Sequence, residues 1–309
     1  MLKSPFIFLW RLGRGVMSDN KKLTICKSNR VVEASYKLTM NEQRVVLACI
    51  AQVNSKEELL ATDKFELSAK DFAKLFSVSD DAAYLALRDV AESLFNRYVV
   101  IENPFPADPS VTRLKTRWIS SIYYKETVGK IVLCFAQDML PYLGELKGHF
   151  TRYNIEHIAK MTSVYGIRLY ELLAQWQSVG KRETELDWLK KQFEIEDKYA
   201  AIKDLKKYVI DPAVKDINTH SNYQVGWTQR KMGRKVTHLT FEFSEKKPPA
   251  PLKKAVSKAK SVKKKVVEVQ EDKINNLDYF ADLRKKYGSA VEDKFSPDIV
   301  EQLKAQGRW

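Results

Sequence analysis

Two stretches of the chain carry the same succession of helical and strand-like hydrophobic spacing. In the first, Val45, Val46, Cys49, Ile50 and Val53 recur at helical intervals. Thr39, with Glu42 three residues later, has the pairing of a capping box at the start of that helix. Val31, Val32 and Tyr36 upstream predict an extended lead-in. Lys64 to Leu67 reads as a short strand and Ser68 as the cap of a helix from Ala69 to Phe76. Ser79 or Asp80 caps a longer helix that holds Tyr84, Leu87, Val90, Ala91 and Leu94. Tyr98 to Ile101, Trp118 to Lys125 and Ile131 to Phe135 follow as strands, while Pro104, Pro106 and Pro109 make Asn103 to Val111 a loop. These strands predict a sheet wider than a minimal wing, with an edge either covered or open to a second copy of the chain.

The second stretch opens with Asn154 as the cap of a short helix. Thr162 or Ser163 starts a longer one through Leu169, Tyr170, Leu173 and Trp176, and Gly180 ends it. Glu183 to Leu186 reads as a strand, and Asp187 as the cap of Trp188 to Phe193. A further helix is expected to begin near Asp197. On helical geometry Ile202, Leu205 and Val209 form its buried stripe, and Ala200, Lys203, Asp204 and Lys207 its exposed face. Pro212 has no N–H for the carbonyl four residues back, so a kink or an end is expected between Tyr208 and Asp211, with Ala213 to Asn218 as a continuation. Tyr223, Val225 and Trp227, then Leu239, Phe241 and Phe243, alternate as the two arms of a hairpin whose tip runs from Gln229 to Lys235.

The two stretches also share letters. Tyr84-Leu85-Ala86-Leu87-Arg88-Asp89-Val90 runs in step with Tyr199-Ala200-Ala201-Ile202-Lys203-Asp204-Leu205. Lys37-Leu38-Thr39 and Ala51-Gln52 return as Lys160-Met161-Thr162 and Ala174-Gln175. The common offset of these last two matches, 123 residues, is too large for a solenoid and marks two copies of one small domain. Helix, short strand, short helix, longer helix and strands is the order of a winged helix, which places its longer helix in the major groove of DNA. The expected fold is therefore α+β: two tandem winged-helix (helix-turn-helix) domains related by an internal repeat. Residues 1–22 are expected to be a disordered extension. Residues 23–148 are the first domain, with dimerisation and DNA-backbone contacts, and 149–245 the second, with sequence recognition. A basic disordered linker, 246–272, and a small helical tail, 273–309, complete the division.

Length and composition change this picture little. A chain of 309 residues has room for about two domains, and 14 Phe with 14 Tyr suffice for two cores. No run of 18 apolar residues occurs, so no membrane span is predicted. Cys26, Cys49 and Cys134 are far apart and odd in number, which predicts the reduced thiols of a cytoplasmic protein rather than a metal site or disulfides. Cys49 is expected as a small core residue.

Charge changes it more. The net charge is +14, but nine lysines and no acid lie between Lys246 and Val267, Lys3, Arg11 and Arg14 lie near the start, and the last segment, 268–309, carries −2, which leaves about +4 for residues 17–245. DNA binding must then come from local patches set among acids. Met17 followed by Ser18-Asp19-Asn20 reads as the natural start, with residues 1–16 as an upstream extension. The apolar run Pro5 to Trp10 is too short for a signal-peptide core. Pro248, Pro249 and Pro251 mark the flexible basic linker, and Leu277, Phe280, Leu283 and Tyr287 beyond it have helical spacing.

Base reading is expected from the long helix of the second domain. Lys198, Lys203, Asp204, Lys206 and Lys207 are its candidate DNA contacts. Lysine donates to guanine O6 or N7, and an acid accepts from cytosine N4, unless Asp204 is held in a local pair with Lys203 or Lys207. Arg230, Lys231, Arg234 and Lys235 at the hairpin tip are candidates for phosphate contacts, which add salt-sensitive affinity without reading sequence. Arg88, in step with Lys203, is the candidate of the first domain.

No catalytic, cofactor or metal site is expected. His149, His157, His220 and His238 form no His-hydrophobic-His metal motif. The chain has no Asp-x-Asp pair for a two-metal site and no Gly-x-x-x-x-Gly-Lys-Ser/Thr phosphate loop. His220 beside Ser221 has no visible orienting acid and reads as a helix-end residue.

Several segments, in order, resemble plasmid replication initiator (Rep) proteins of the iteron-binding, two-winged-helix type. Residues 28–44, from Ser28-Asn29-Arg30-Val31-Val32 to Asn41-Glu42-Gln43-Arg44, resemble the opening of that family. Leu140 to Leu143, Phe150 to Asn154, Tyr165 to Leu173, Tyr208 to Asn218 and Lys231 to Lys235 continue the resemblance, which spans residues 24 to 243. It implies two winged-helix domains, monomers on directly repeated sites (iterons) at a plasmid origin, and dimers that repress their own gene in plasmid copy control. It also implies recruitment of the host replication initiator and replicative helicase. The tail from Ser244 onward departs from the pattern. The residues by themselves leave two alternatives: a two-domain winged-helix transcription repressor, and an origin-nicking enzyme with an unrecognised site.

Overall fold

The computed structural model describes residues 23–105, 107–246 and Lys304. The expected extension at 1–22, and the linker and helical tail from residue 247 onward, lie outside the described residues apart from Lys304. The first winged-helix unit consists of β1 (Thr24–Ser28), α1 (Asn29–Val32), β2 (Ser35–Tyr36), α2 (Met40–Ile50), β3 (Phe65–Ser68), α3 (Ala69–Phe76), α4 (Asp80–Ser93), β4 (Tyr98–Glu102), β5 (Arg113–Arg117), β6 (Ile119–Lys125) and β7 (Lys130–Phe135). Then come β8 (Phe150–Asn154), α5 (Glu156–Ala159), α6 (Val164–Ala174), β9 (Lys181–Glu185), α7 (Leu186–Gln192) and α8 (Ile202–Leu205). A π-helical turn (Lys206–Ile210) joins α8 to α9 (Asp211–His220), and the hairpin of β10 (Tyr223–Met232) and β11 (Lys235–Glu245) closes the second unit.

The repeat is visible in the sheets. β3-β7-β6 in the first unit and β9-β11-β10 in the second have the same order, with the returning arm of the wing in the middle. The heptapeptide match carries Val90 onto Leu205, both buried, but α4 begins ten residues before Val90 and α8 only three before Leu205. The two long helices therefore start at different points of one topology.

Caps at the helix starts follow the sequence closely. Thr39 and Glu42 form the capping box of α2, and Ser68, Ser79 and Ser163 each accept a backbone N–H at the start of α3, α4 and α6. Two expectations change. Asp187 lies within α7, whose cap position is Glu185 without a side-chain bond. The expected extended lead-in at Val31 and Val32 is instead the helical turn α1, which Ser28 caps by accepting from the Arg30 N–H. Asn154 does accept from the backbone N–H of Glu156, the first residue of α5.

The first unit's strands do not form one widened sheet. β4 and β5, inserted between α4 and the wing, join β2 in a separate sheet. The reason lies at Trp118, between β5 and β6. Its side chain is fully buried, edge-to-face with Tyr36 at a centroid separation of 4.9 Å, so the chain turns inward there and changes sheet.

A network of charges, buried at Lys27, Glu171, Arg168 and Arg182, joins the two units. β1 pairs with β8 along its whole length, from Thr24 opposite Asn154 to Ser28 opposite Phe150. Beneath that pair, Lys27 and Glu171 are both inaccessible to solvent and 2.6 Å apart. Arg168 lies 3.7 Å above the Tyr36 ring and donates to the carbonyls of Val32, Ala34 and Gln192. Arg182 of β9 reaches Glu33 at 3.0 Å, and Lys191 of α7 reaches Glu102 of β4 at 2.9 Å. One hydrophobic core runs through both units from Ile25 to Phe243. All three cysteines are buried and free, and burial pushes the Cys49 thiol up, which leaves it unreactive.

Candidate nucleic-acid interface

In the second unit, α7 and the helix that begins at Ile202 make the helix-turn-helix. The expected start near Asp197 moves five residues on, because the backbone turns first. Lys198 N–H donates to Ile195 O at 3.0 Å, and Tyr199 sits in the left-handed region at φ 54°, which a helix does not admit. The Tyr199 ring instead stacks on Tyr208, with centroids 6.2 Å apart, and so braces the turn against the helix it precedes.

The helical chain runs on past Pro212 as α9, and the break expected between Tyr208 and Asp211 takes the form of a π-helical turn. The helix widens one turn earlier, where Asp211 N–H reaches back five residues to Lys206 O. The extra residue of the π turn takes up the position where Pro212 could not donate. It also keeps one face in line. Lys203, Lys207, Asp211, Lys215 and Thr219 are all exposed at intervals of four. On an unbroken α-helix such steps would drift by about 40° each. Leu205 and Val209 face the core as expected, while Ile202 is only half-buried.

The exposed face carries Lys203, Asp204, Lys207 and Tyr208, the last at 52% exposure, with Lys198 exposed in the turn before it. Asp204 makes no ion pair with Lys203 or Lys207 among the described residues, so the local-pair alternative is not found. Lys206 turns away from this face, 5.6 Å above the ring of Trp227 on β10. The indole N–H of Trp227 donates to Asp211 at 3.2 Å. Helix and wing are therefore latched together through Trp227, Asp211 and Lys206.

The wing is longer than its sequence tip implied. Strand pairing reaches Met232 opposite Lys235, leaving only Gly233 and Arg234 as the turn, with Gly233 at φ 59° as a two-residue hairpin requires. Its four cations are not equivalent. Arg230 bonds Glu183 of β9 at 2.5 Å, and this bond holds the Glu183 carboxyl below its usual range. Lys235 lies 3.5 Å from Asp187 in an exposed, weak pair. Lys231 and Arg234 are exposed without an ion pair among the described residues.

The corresponding face of the first unit is of opposite character. α4 exposes Asp80, Asp81, Leu85, Arg88, Asp89 and Glu92. Arg88 is solvent-exposed on this face, 3.7 Å from Asp89. The wing of this unit turns through Glu126–Val128, and its flanking cations Lys125 and Lys130 both bond Glu66, at 3.3 and 2.6 Å.

Residues 24–174 match the family described as "Initiator Replication protein, WH1", and residues 185–243 match "Initiator Rep protein, WH2". A replication initiation protein of Escherichia coli is 30% identical over 228 residues, covering 72% of this chain and 69% of that protein. The chain belongs to the initiator replication protein family. The PI protein of Escherichia coli is also similar, 27% identical over 258 residues, covering 74% of this chain and 85% of that protein. The same fold is seen in the crystal structure of Pi initiator protein in complex with iteron DNA. The TM-score is 0.62 at 24% identity, covering 74% of this chain and all of that one.

Among the described residues, no group of three or more His, Cys, Asp or Glu is placed to hold a metal ion, and no helix is long and apolar enough to cross a membrane. His220 does have an acid in reach, contrary to the sequence reading, since Asp216 lies 3.7 Å away one turn back. That carboxylate, however, accepts the backbone N–H groups of Thr162 and Ser163, and Ser221 Oγ donates to the Ile217 carbonyl rather than to the imidazole. Three features escaped the sequence reading. Tyr208 lies one turn after Asp204 on the exposed face. Trp227 fits the hairpin alternation, but its N–H also demanded a partner. The alternating cations of β5 were hidden beside a proline-rich loop.

Proposed function

We propose that this chain initiates replication of a plasmid by binding duplex DNA at directly repeated origin sites, the iterons. The observation that carries the reading is the second unit's exposed helix face, with Lys203, Asp204, Lys207 and Tyr208, latched through Trp227 and Asp211 to a wing that ends in Lys231 and Arg234. The helix reads base edges in the major groove, with Lys198 beside it, and the wing cations sit on phosphates. Two winged helices in one chain suit successive major grooves about 10–10.5 base pairs apart, so a monomer needs no palindrome. The Pi initiator, which shares the fold and was crystallised with iteron DNA, supports the same assignment.

In this reading residues 149–245 recognise sequence and 23–148 add backbone contacts and a dimer surface. Dimers repress the chain's own gene, and monomers on the origin recruit the host initiator and replicative helicase. The chain acts in the cytoplasm and performs no catalytic step. The test supplies the chain in trans to a plasmid that carries the origin without its initiator gene, and footprints the purified protein on that origin. Replication with protection of direct repeats is the expected result. Protection of an operator alone, without replication, makes the chain a repressor. A nick in supercoiled origin DNA makes it an enzyme.

A further inference from the structure

The first unit lacks a basic helix face, yet it has three closely spaced cations elsewhere. Arg113, Lys115 and Arg117 alternate along β5, an edge strand, and so lie on one side of the β2-β4-β5 sheet. Tyr98 and Glu102 of β4 stand opposite Arg117 and Arg113 on that same side. The charged heads are held largely by rings. Lys115 lies 4.6 Å from the Tyr98 ring, and Arg117 lies 4.3 Å from Phe95 while donating to the Phe95 carbonyl at 2.9 Å. Tyr98 and Phe95 are themselves 43% and 40% exposed. Lys115 and Arg117 meet no carboxylate among the described residues, and Arg113 meets Glu102 only at 3.8 Å.

This face is continuous with the helix-turn-helix of the other unit. Glu102 bonds Lys191 of α7 at 2.9 Å, and Ser35 of β2 donates to the Lys191 carbonyl at 2.8 Å. In a helix-turn-helix the first helix of the pair crosses the DNA backbone. Here that helix is α7, with Lys190 and Lys191 in its last turn. The cations of β5 lie on the side of the sheet that Glu102 joins to α7.

We propose that the Arg113–Lys115–Arg117 face of β5, with Lys191 beside it, seats the phosphate backbone of the same duplex, flanking the stretch read by the second unit. It supplies the first unit's backbone contacts in place of Arg88 and α4. The inference rests on the DNA-binding reading above. A cation resting on a ring is not neutralised by a neighbouring acid and keeps its attraction for phosphate. The choice of a duplex follows from the continuity with α7.

The experiment measures binding of the full chain to a labelled duplex carrying its site with flanks, over a range of salt. The variants are Arg113→Gln with Lys115→Gln, both exposed and outside the core, and Lys115→Arg as a charge-conserving control. The double variant is expected to make the log–log salt slope shallower by about two, near 0.9 for each phosphate lost, with base preference unchanged. Its footprint should shorten on one flank, and trimming that flank should remove the difference from wild type. Lys115→Arg should keep the wild-type slope. An unchanged slope overturns the proposal. So does a loss confined to single-stranded oligothymidine, or a change in oligomeric state that accounts for the weaker binding. Wild-type preference for the repeat over a scrambled duplex is scored separately. Its absence overturns the origin-binding reading, while the slope on either duplex still decides the role of β5.

Discussion

In the second winged-helix unit the long helix shows lysines and a tyrosine to solvent; in the first, α4 shows four acids around one arginine. Their wings differ in the same sense. One ends in Lys231 and Arg234 without ion partners among the described residues, while the other has both flanking lysines bonded to Glu66. Yet the strand order of the two wings corresponds. A shared fold thus provides two equivalent scaffolds whose outward faces differ in charge, and in the proposed reading that difference selects the second for DNA bases. The inserted β2-β4-β5 sheet, which has no counterpart in the second unit, carries Lys115 and Arg117, which meet no carboxylate among the described residues.

The comparison breaks most completely at the joint. Removing one partner of a buried ion pair leaves the other charge uncompensated, at a cost of about 3–5 kcal/mol. Glu171→Ala should lower stability by that amount in urea denaturation, since Lys27 is fully buried against it. Because that pair links β1 to α6, both units should lose structure in one transition. Two separate transitions would show that the units are independent.

Base reading sharpens the comparison next. Lys203→Ala or Lys207→Ala should weaken binding to the specific site by about 1–3 kcal/mol and relax preference at one position. Arg88→Ala should leave base preference intact. Equal losses on specific and random duplexes for the two lysines would reassign them to phosphates.

The caps differ in a way that pH can expose. Burial pushes the Glu42 carboxyl up, but bonds from Ser93 Oγ, the Thr39 N–H and Arg97 outweigh it and hold the carboxyl below its usual range. Its stabilisation is therefore present above the unfolded value, near 4.5, and is lost as pH falls through the lowered folded value. Glu42→Gln should cost about 1 kcal/mol at neutral pH, as loss of a cap does, and flatten the acid limb of stability against pH. A variant whose acid limb matches wild type would remove Glu42 from that role.

The wing should give the smallest effect. Lys231→Ala with Arg234→Ala should flatten the salt slope by at most about two contacts. Arg230→Ala alone should do less, because Arg230 is already bonded to Glu183. A larger change from Arg230 would mean that this bond opens on DNA.

Local signals in the chain determined a good deal. Thr39, Ser68, Ser79 and Ser163 cap helices where their letters place them, because a cap needs only neighbouring residues. The alternation at Tyr223 to Trp227 and Leu239 to Phe243 set the arms of the wing, and the repeat with its family resemblance set the tandem winged helices. The basic residues after Lys198 could be placed on one helix from spacing alone. Tertiary structure decided what depends on distant partners. The π turn at Lys206–Ile210 answers Pro212 by keeping the exposed face aligned, a choice set by the core beneath Leu205 and Val209. Trp118 divides the first unit's strands into two sheets because its ring is buried against Tyr36, far away in sequence. Arg230 and Lys231 look alike in the chain, and only the position of Glu183 on β9 separates a partnered cation from an available one. Spacing along one segment fixes faces and ends; which charges remain unpaired is settled only when segments distant in sequence pack together.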